Sequence, residues 1–167
     1  MPPLAINRPP TAAPARLLVQ TPHTLGTTGQ CVWNNGMPSQ FAAMRNAYAD
    51  FGGMCAADEW LALCATRGGP DVAQLARWIV ERKVIGIDWQ KQLWLPLFQF
   101  CPGTMRPRSS LRQTLAELSE VLNAWDLAVW FARPNPWLAG NAPLAWLSSD
   151  MPAVCNAARF DRFIAHG

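Results

Sequence analysis

The sequence predicts a mainly α-helical protein with one small β-hairpin near its middle. Apolar residues recur at helical spacing in several segments between residues 38 and 164, whereas they alternate in two short runs, residues 85–89 and 93–97. Clusters of proline and glycine separate these segments. Half of the 167 residues are apolar and nine are tryptophan, so the chain can build a core for one domain or for two small ones.

Residues 1–36 are rich in Pro, Thr, Ala and Gly and show no sustained period. This composition predicts an arm that is flexible or ordered by a partner, and it ends at the turn signal Asn34-Asn35-Gly36. The folded part is therefore expected to begin near residue 37.

Three helices are expected between residues 38 and 82. Gly52 and Gly53 stop the first, the second spans residues 56–66, and the third begins at its N-cap Asp71 and ends near Arg82. The expected inner faces are Phe41, Met44, Tyr48 and Phe51 in the first helix, Trp60, Leu61 and Cys64 in the second, and Val72, Leu75, Ala76 and Ile79 in the third.

A β-hairpin is expected after Lys83, where the period changes to two. Residues 85–89 and 93–97 alternate, and residues 90–92 lie between them without the usual Asn-Gly or Asp-Gly turn. Pro96 suits the end of a strand or an edge strand. The segment of residues 37–104 thus has the order helix, helix, helix, hairpin.

That order is the outline of a winged helix-turn-helix domain, in which one helix enters the major groove of DNA. Residues 67–112 hold eight basic and three acidic side chains, which also favours an anionic partner. Alternatively, the basic residues only keep a small scaffold in solution. The predicted nucleic-acid contacts are Gln74 at a base edge and Arg77, Arg82, Lys83 and Lys91 at phosphates.

Residues 105–167 are expected to form a second helical segment. A continuous apolar stripe from Leu111 to Ala132 predicts one helix of about six turns, which Pro134 ends. Pro143 suits the first position of a short helix, and Asp150 is a plausible N-cap for the last helix. The apolar residues of that last helix, at i, i+3 and i+4, are Phe160, Phe163 and Ile164.

Two motifs in this segment carry a resemblance. Residues 125–131 (WDLAVWF) and 134–144 (PNPWLAGNAPL) are similar to the Xre/MbcA/ParS-like toxin-binding domain of antitoxins. In that family a helix meets a Pro-Asn-x-x-Leu-x-Gly-x-x-Pro turn and then two short helices. The resemblance covers about residues 110–167, and the segment of residues 84–100 looks like the connection that precedes this domain in antitoxin-related proteins.

The resemblance implies a partner protein. Domains of this family bind a RES-type toxin, which consumes NAD, and neutralise it by covering its active-site cleft. The turn and the last helix would then form the partner-binding surface. Its expected residues are Asn135, Trp137, Leu138, Arg159, Arg162 and Phe163.

Other classes of function find little support in the sequence. No serine, histidine or carboxylate pair stands in a catalytic motif, so we expect no enzyme, no cofactor and no metal site. Five cysteines without a CxxC spacing are expected to be buried, reduced thiols of a cytoplasmic protein. No signal peptide and no membrane span are predicted.

We therefore expect a non-catalytic, antitoxin-like binding protein that also self-associates into a homo-oligomer. The low charged fraction of 15% agrees with a surface that a partner covers. Two alternatives remain open: a DNA-binding regulator whose residues 110–167 dimerise, and a structural subunit of a larger assembly.

Overall fold

The computed structural model describes residues 36–167, so almost all of the predicted arm lies outside it. Helices make up 61% of these residues, and a small three-stranded antiparallel sheet accompanies seven α-helices in this part of the chain. The mainly helical prediction is confirmed. The elements are α1 (Met37–Tyr48), β1 (Met54–Ala56), α2 (Ala57–Thr66), α3 (Val72–Val80), β2 (Ile87–Trp89), β3 (Gln92–Pro96), α4 (Arg112–Ser119), α5 (Ala124–Ala132), α6 (Pro143–Trp146) and α7 (Met151–His166).

The first helix follows its sequence pattern. Phe41, Met44 and Tyr48 are buried, and the chain then leaves the helix through Gly52 and Gly53, which have φ angles of 95° and 78°. Only glycine adopts such angles without strain, which explains why the helical segment stops there.

The third helix begins as predicted but buries only part of the expected face. Asp71 accepts a hydrogen bond from the Gln74 N–H at 2.8 Å, as an N-cap should. However, Val72 and Ala76 are exposed, so their assignment to the inner face was wrong. Leu75 and Ile79 pack inward as expected, and Trp78 joins them because its large indole covers more of the core than the two small side chains would.

The hairpin is confirmed and belongs to a larger sheet. Strand β2 pairs with β3, and Gln90 and Lys91 both have positive φ angles, as a two-residue turn of the favoured hand requires. Strand β1 pairs with the other edge of β3, which places β3 in the centre. Three residues are too few to show an alternating pattern, so β1 was not predicted.

An aromatic cluster covers the hairpin. The ring of Phe41 in α1 stacks on Trp89 at 5.0 Å, and Trp89 lies 5.6 Å from Trp125 in α5. A wing that contacts DNA would project into solvent, whereas this hairpin packs against α1 and α5. The winged-helix arrangement is therefore not confirmed.

The predicted helix from Leu111 to Ala132 is two helices, so that prediction was wrong. The chain leaves α4 after Ser119 and starts α5 at the N-cap Asn123, whose side chain accepts a hydrogen bond from the Asp126 N–H at 2.9 Å. The guanidinium of Arg82 donates to the carbonyl oxygens of Ser119 and Leu122 at 3.0 and 3.2 Å. These bonds satisfy carbonyl groups that the end of α4 leaves without a helical partner.

One large core cluster joins the two halves of the described chain. It contains side chains from both sides of residue 104, among them Met44, Tyr48, Phe98 and Phe131. The Tyr48 hydroxyl donates to the carbonyl oxygen of Ala128 at 2.8 Å, and burial raises the pKa of Tyr48 well above its ordinary value. The two predicted segments thus share a core, and their division into domains stays a prediction.

Candidate partner-binding surface

Helix α7 is buried in its first half and exposes apolar side chains in its second half. Its first half is buried through Val154, Cys155, Ala157 and Ala158 and packs against α4. The second half carries large apolar side chains that remain in solvent, and Phe163 is 78% exposed. The stripe that would normally mark a core-facing helix therefore points outward here.

Trp137 extends this exposed stripe. Its ring stacks on Phe160 at 4.7 Å, and it is 49% exposed although it lies on the 3₁₀ turn Pro136–Leu138 rather than on α7. Residues three and four apart share one face of a helix, which joins Phe160 to Phe163 and Ile164. We call Trp137, Phe160, Phe163 and Ile164 the C-terminal apolar face.

Asp161 connects the turn to α7. One of its carboxylate oxygens accepts hydrogen bonds from Trp130 Nε1 and Asn135 Nδ2, both at 2.7 Å, and the other accepts from Trp137 Nε1 at 2.9 Å. Hydrogen bonds to a charged acceptor are stronger than neutral ones. This carboxylate therefore holds the Trp137 indole against the helix and gives the C-terminal apolar face a defined shape.

Two of the predicted contact residues are internal. Leu138 is 2% exposed and belongs to the large core cluster. Asn135 is also buried, because its side chain caps the 3₁₀ turn at the Trp137 N–H and donates to Asp161. In this conformation both residues shape the surface from inside the fold, and their contact with a partner stays a prediction.

The predicted arginines form an ion-pair cluster beside the apolar face. Arg159 pairs with Glu117 at 3.1 Å, and Arg162 pairs with Glu117 at 3.0 Å and with Glu120 at 3.2 Å. These carboxylates come from the end of α4. The arginines remain partly exposed, so they can border a protein partner, although much of their charge is already balanced.

The five predicted nucleic-acid contacts lie on three parts of the structure: α3, its C-terminal end and the hairpin turn. Gln74 and Arg77 are exposed on α3, and Lys91 lies on the hairpin turn. Lys83 forms an ion pair with Glu81 at 2.7 Å, and the hydrogen bond from Lys83 lowers the pKa of Glu81.

Arg82 has the structural role described above, at the end of α4. Together with Lys83 it lines a groove whose other basic residues, Arg106, Arg108 and Arg112, were not singled out from the sequence. The only signal for them was the positive charge of residues 67–112.

The described residues contain no group of three or more His, Cys, Asp or Glu side chains that could hold a metal ion. None of the helices from residue 36 onward is long and apolar enough to cross a membrane. Four cysteines are free thiols in the structure, and Cys31 lies outside the described residues.

We expect Cys55 to be an unreactive thiol. Burial, with a smaller effect of the Glu59 carboxylate, raises the pKa of Cys55 to about 11 from an ordinary 9.0. At pH 8 its thiolate fraction is then about 100-fold below that of an ordinary thiol, and the thiolate is the species that reacts. Residue-resolved mass spectrometry of alkylation should show this slowing relative to the urea-unfolded chain, and equal rates in both states would contradict it.

The chain matches no protein-family model, no curated protein and no solved structure. Its likeness to the Xre/MbcA/ParS-like toxin-binding domain therefore depends on the motif residues alone. The geometry gives those residues definite positions: Trp130, Asn135 and Trp137 of the two motifs all donate to Asp161.

Proposed function

We propose that this chain is a non-catalytic binding protein of the antitoxin type, which covers a partner protein with its C-terminal apolar face. The observation that carries the proposal is the continuous exposure of Trp137, Phe160, Phe163 and Ile164 on one ordered surface. Apolar patches of this kind, bordered by polar residues, commonly mark protein interaction sites.

The energetics favour burial of this face by a partner. Removing a large apolar side chain from water is worth about 1.5 to 3 kcal/mol. Because the Asp161 carboxylate already holds Trp137 in place, binding loses less conformational entropy than it would with a mobile side chain. Aromatic and arginine side chains also dominate the residues that contribute most to binding in protein interfaces.

The partner we propose is a RES-type toxin, following the resemblance of residues 110–167. In this mechanism the chain blocks the toxin's cleft by surface burial, and no side chain of this protein performs chemistry. Arg159 and Arg162 would lie at the polar rim of the interface, because the structure places them beside the apolar face.

Phe163→Ala is expected to weaken partner binding at least about tenfold, since it removes the most exposed ring of the face. It should leave the fold intact, because most of this side chain contacts solvent. The measurement is the dissociation constant with a purified RES-type toxin, together with growth rescue when the two proteins are co-expressed.

Val80→Ala is the matched control. Val80 is 83% exposed and lies at the end of α3, outside the C-terminal apolar face. The Val80→Ala variant should bind the toxin with the affinity of the parent chain. If the parent chain, Phe163→Ala and Val80→Ala all bound the toxin equally well, the face would not belong to the interface. If Phe163→Ala alone lost a homo-oligomer, the face would serve self-association instead.

A further inference from the structure

A groove lies between the end of α3 and the segment that enters α4. It encloses about 660 Å³ and is open to solvent. None of the residues that line it belongs to the C-terminal apolar face. Its basic side chains are Arg82, Lys83, Arg106, Arg108 and Arg112.

Most of this positive charge is not neutralised by carboxylates. Among the described residues, Lys83 is the one basic member of the groove with an ion pair, to Glu81. Arg82 and Arg108 donate to backbone carbonyl oxygens, which leave their charge in place. The second carboxylate of the groove, Glu120, is engaged by Arg162. The groove therefore keeps a net positive charge.

Backbone hydrogen bonds hold the segment that carries Arg106 and Arg108 against residues 99–101. The Cys101 N–H donates to the Arg106 carbonyl oxygen, and the Arg108 N–H donates to the Gln99 carbonyl oxygen, both at 2.8 Å. Between them Pro107 forms an isolated antiparallel bridge with Phe100. Arg106 and Arg108 flank Pro107, and both line the groove.

We infer that this groove binds the phosphodiester backbone of double-stranded DNA. Planar guanidinium groups match the geometry of phosphate oxygens, and a duplex presents the dense row of negative charge that several arginines can contact together. Recognition of single strands normally needs exposed aromatic rings on which bases stack. The groove has one aromatic residue, Trp78, and it is half-buried.

The contacts are to backbone and not to base edges, so the binding is independent of sequence. This differs from the winged helix-turn-helix arrangement predicted from the sequence, because Arg106, Arg108 and Arg112 take the place of Gln74, Arg77 and Lys91. It also stands apart from the proposed partner protein, since the C-terminal apolar face is not used.

The test is fluorescence anisotropy with a labelled 20-base-pair duplex of arbitrary sequence, at several salt concentrations between about 50 and 200 mM. We expect the double variant Arg106→Gln/Arg112→Gln to bind at least about tenfold more weakly at the lowest salt. The slope of log affinity against log salt should fall by about 2, because two phosphate contacts are lost.

The double variant Lys91→Gln/Arg133→Gln is the control, because it removes the same charge from exposed positions outside the groove. It should keep most of the affinity and the salt slope. If both double variants lost the same DNA affinity, net charge and not the groove would explain the binding. If the parent chain did not bind DNA at about 50 mM salt, the inference would be overturned. Stronger binding to a single strand, or to polyglutamate, would also overturn it.

Discussion

Replacing Gln99 with methionine is expected to lower the free energy of unfolding by about 3 kcal/mol, although the two side chains have similar volumes. Gln99 is 1% exposed. Its Oε1 accepts from the Ile85 N–H at 2.7 Å, and its Nε2 donates to the Ile85 carbonyl oxygen at 2.9 Å. Methionine would leave both backbone groups of Ile85 buried without a partner, and each such group costs about 1 to 3 kcal/mol.

Urea unfolding followed by tryptophan fluorescence measures this loss. Gln113→Met is the control, because Gln113 is exposed on α4 and the change there should shift stability by less than about 0.5 kcal/mol. A similar small shift for Gln99→Met would contradict the role given to the amide.

Gln99→Glu tests the hydrogen bonds separately from packing. At pH 7 a buried carboxylate has no donor for the Ile85 carbonyl oxygen, so this variant should be at least as unstable as Gln99→Met. Once protonated, the carboxyl group can donate to that oxygen while its other oxygen accepts from the Ile85 N–H. Its stability relative to the parent chain should therefore rise as the pH falls, which the methionine variant cannot reproduce.

Asp161→Ala should have the second large effect, a loss of about 3 kcal/mol in the free energy of unfolding together with loss of partner binding. The change removes the acceptor of three N–H groups, from Trp130, Asn135 and Trp137. Asn135 is buried, so its amide would keep no charged partner, whereas the Trp137 indole can turn into solvent. We therefore expect the turn to loosen and the C-terminal apolar face to lose its shape.

Urea unfolding and the dissociation constant of the RES-type toxin are the two readouts for this variant. Asp161→Asn is a more specific test. An amide has one accepting oxygen, so its NH₂ group would face N–H donors whose hydrogen bonds a carboxylate oxygen of Asp161 now accepts. Asp88→Ala is the matched control: Asp88 is exposed on β2, and its side chain has no hydrogen bond or ion pair with the described residues. If all three variants kept full affinity, Asp161 would not position the face.

Sequence patterns predicted only part of the candidate site. The position of Phe163 on an arginine-bearing helix end could be predicted, because helical periodicity places Arg159, Arg162 and Phe163 close together. The burial of Asn135 and Leu138 could not, since a Pro-Asn turn motif does not show which of its side chains faces the core. Asp161 was missed because its three donors lie 24 to 31 residues away along the chain.

The amino-acid sequence alone determined where several elements begin and where the hairpin turns, although it missed β1 and the break between α4 and α5. The caps at Asp71 and Asp150, the stop at Gly52 and the hairpin after Lys83 depend on interactions within about four residues, which a local pattern reveals. Only the tertiary structure decided which face of α3 is buried and that the apolar residues at the end of α7 stay exposed. Residues distant in sequence provide the partners of Arg82, Gln99 and Asp161, and assemble the arginine-lined groove, because packing depends on neighbours in space and not on neighbours in the chain.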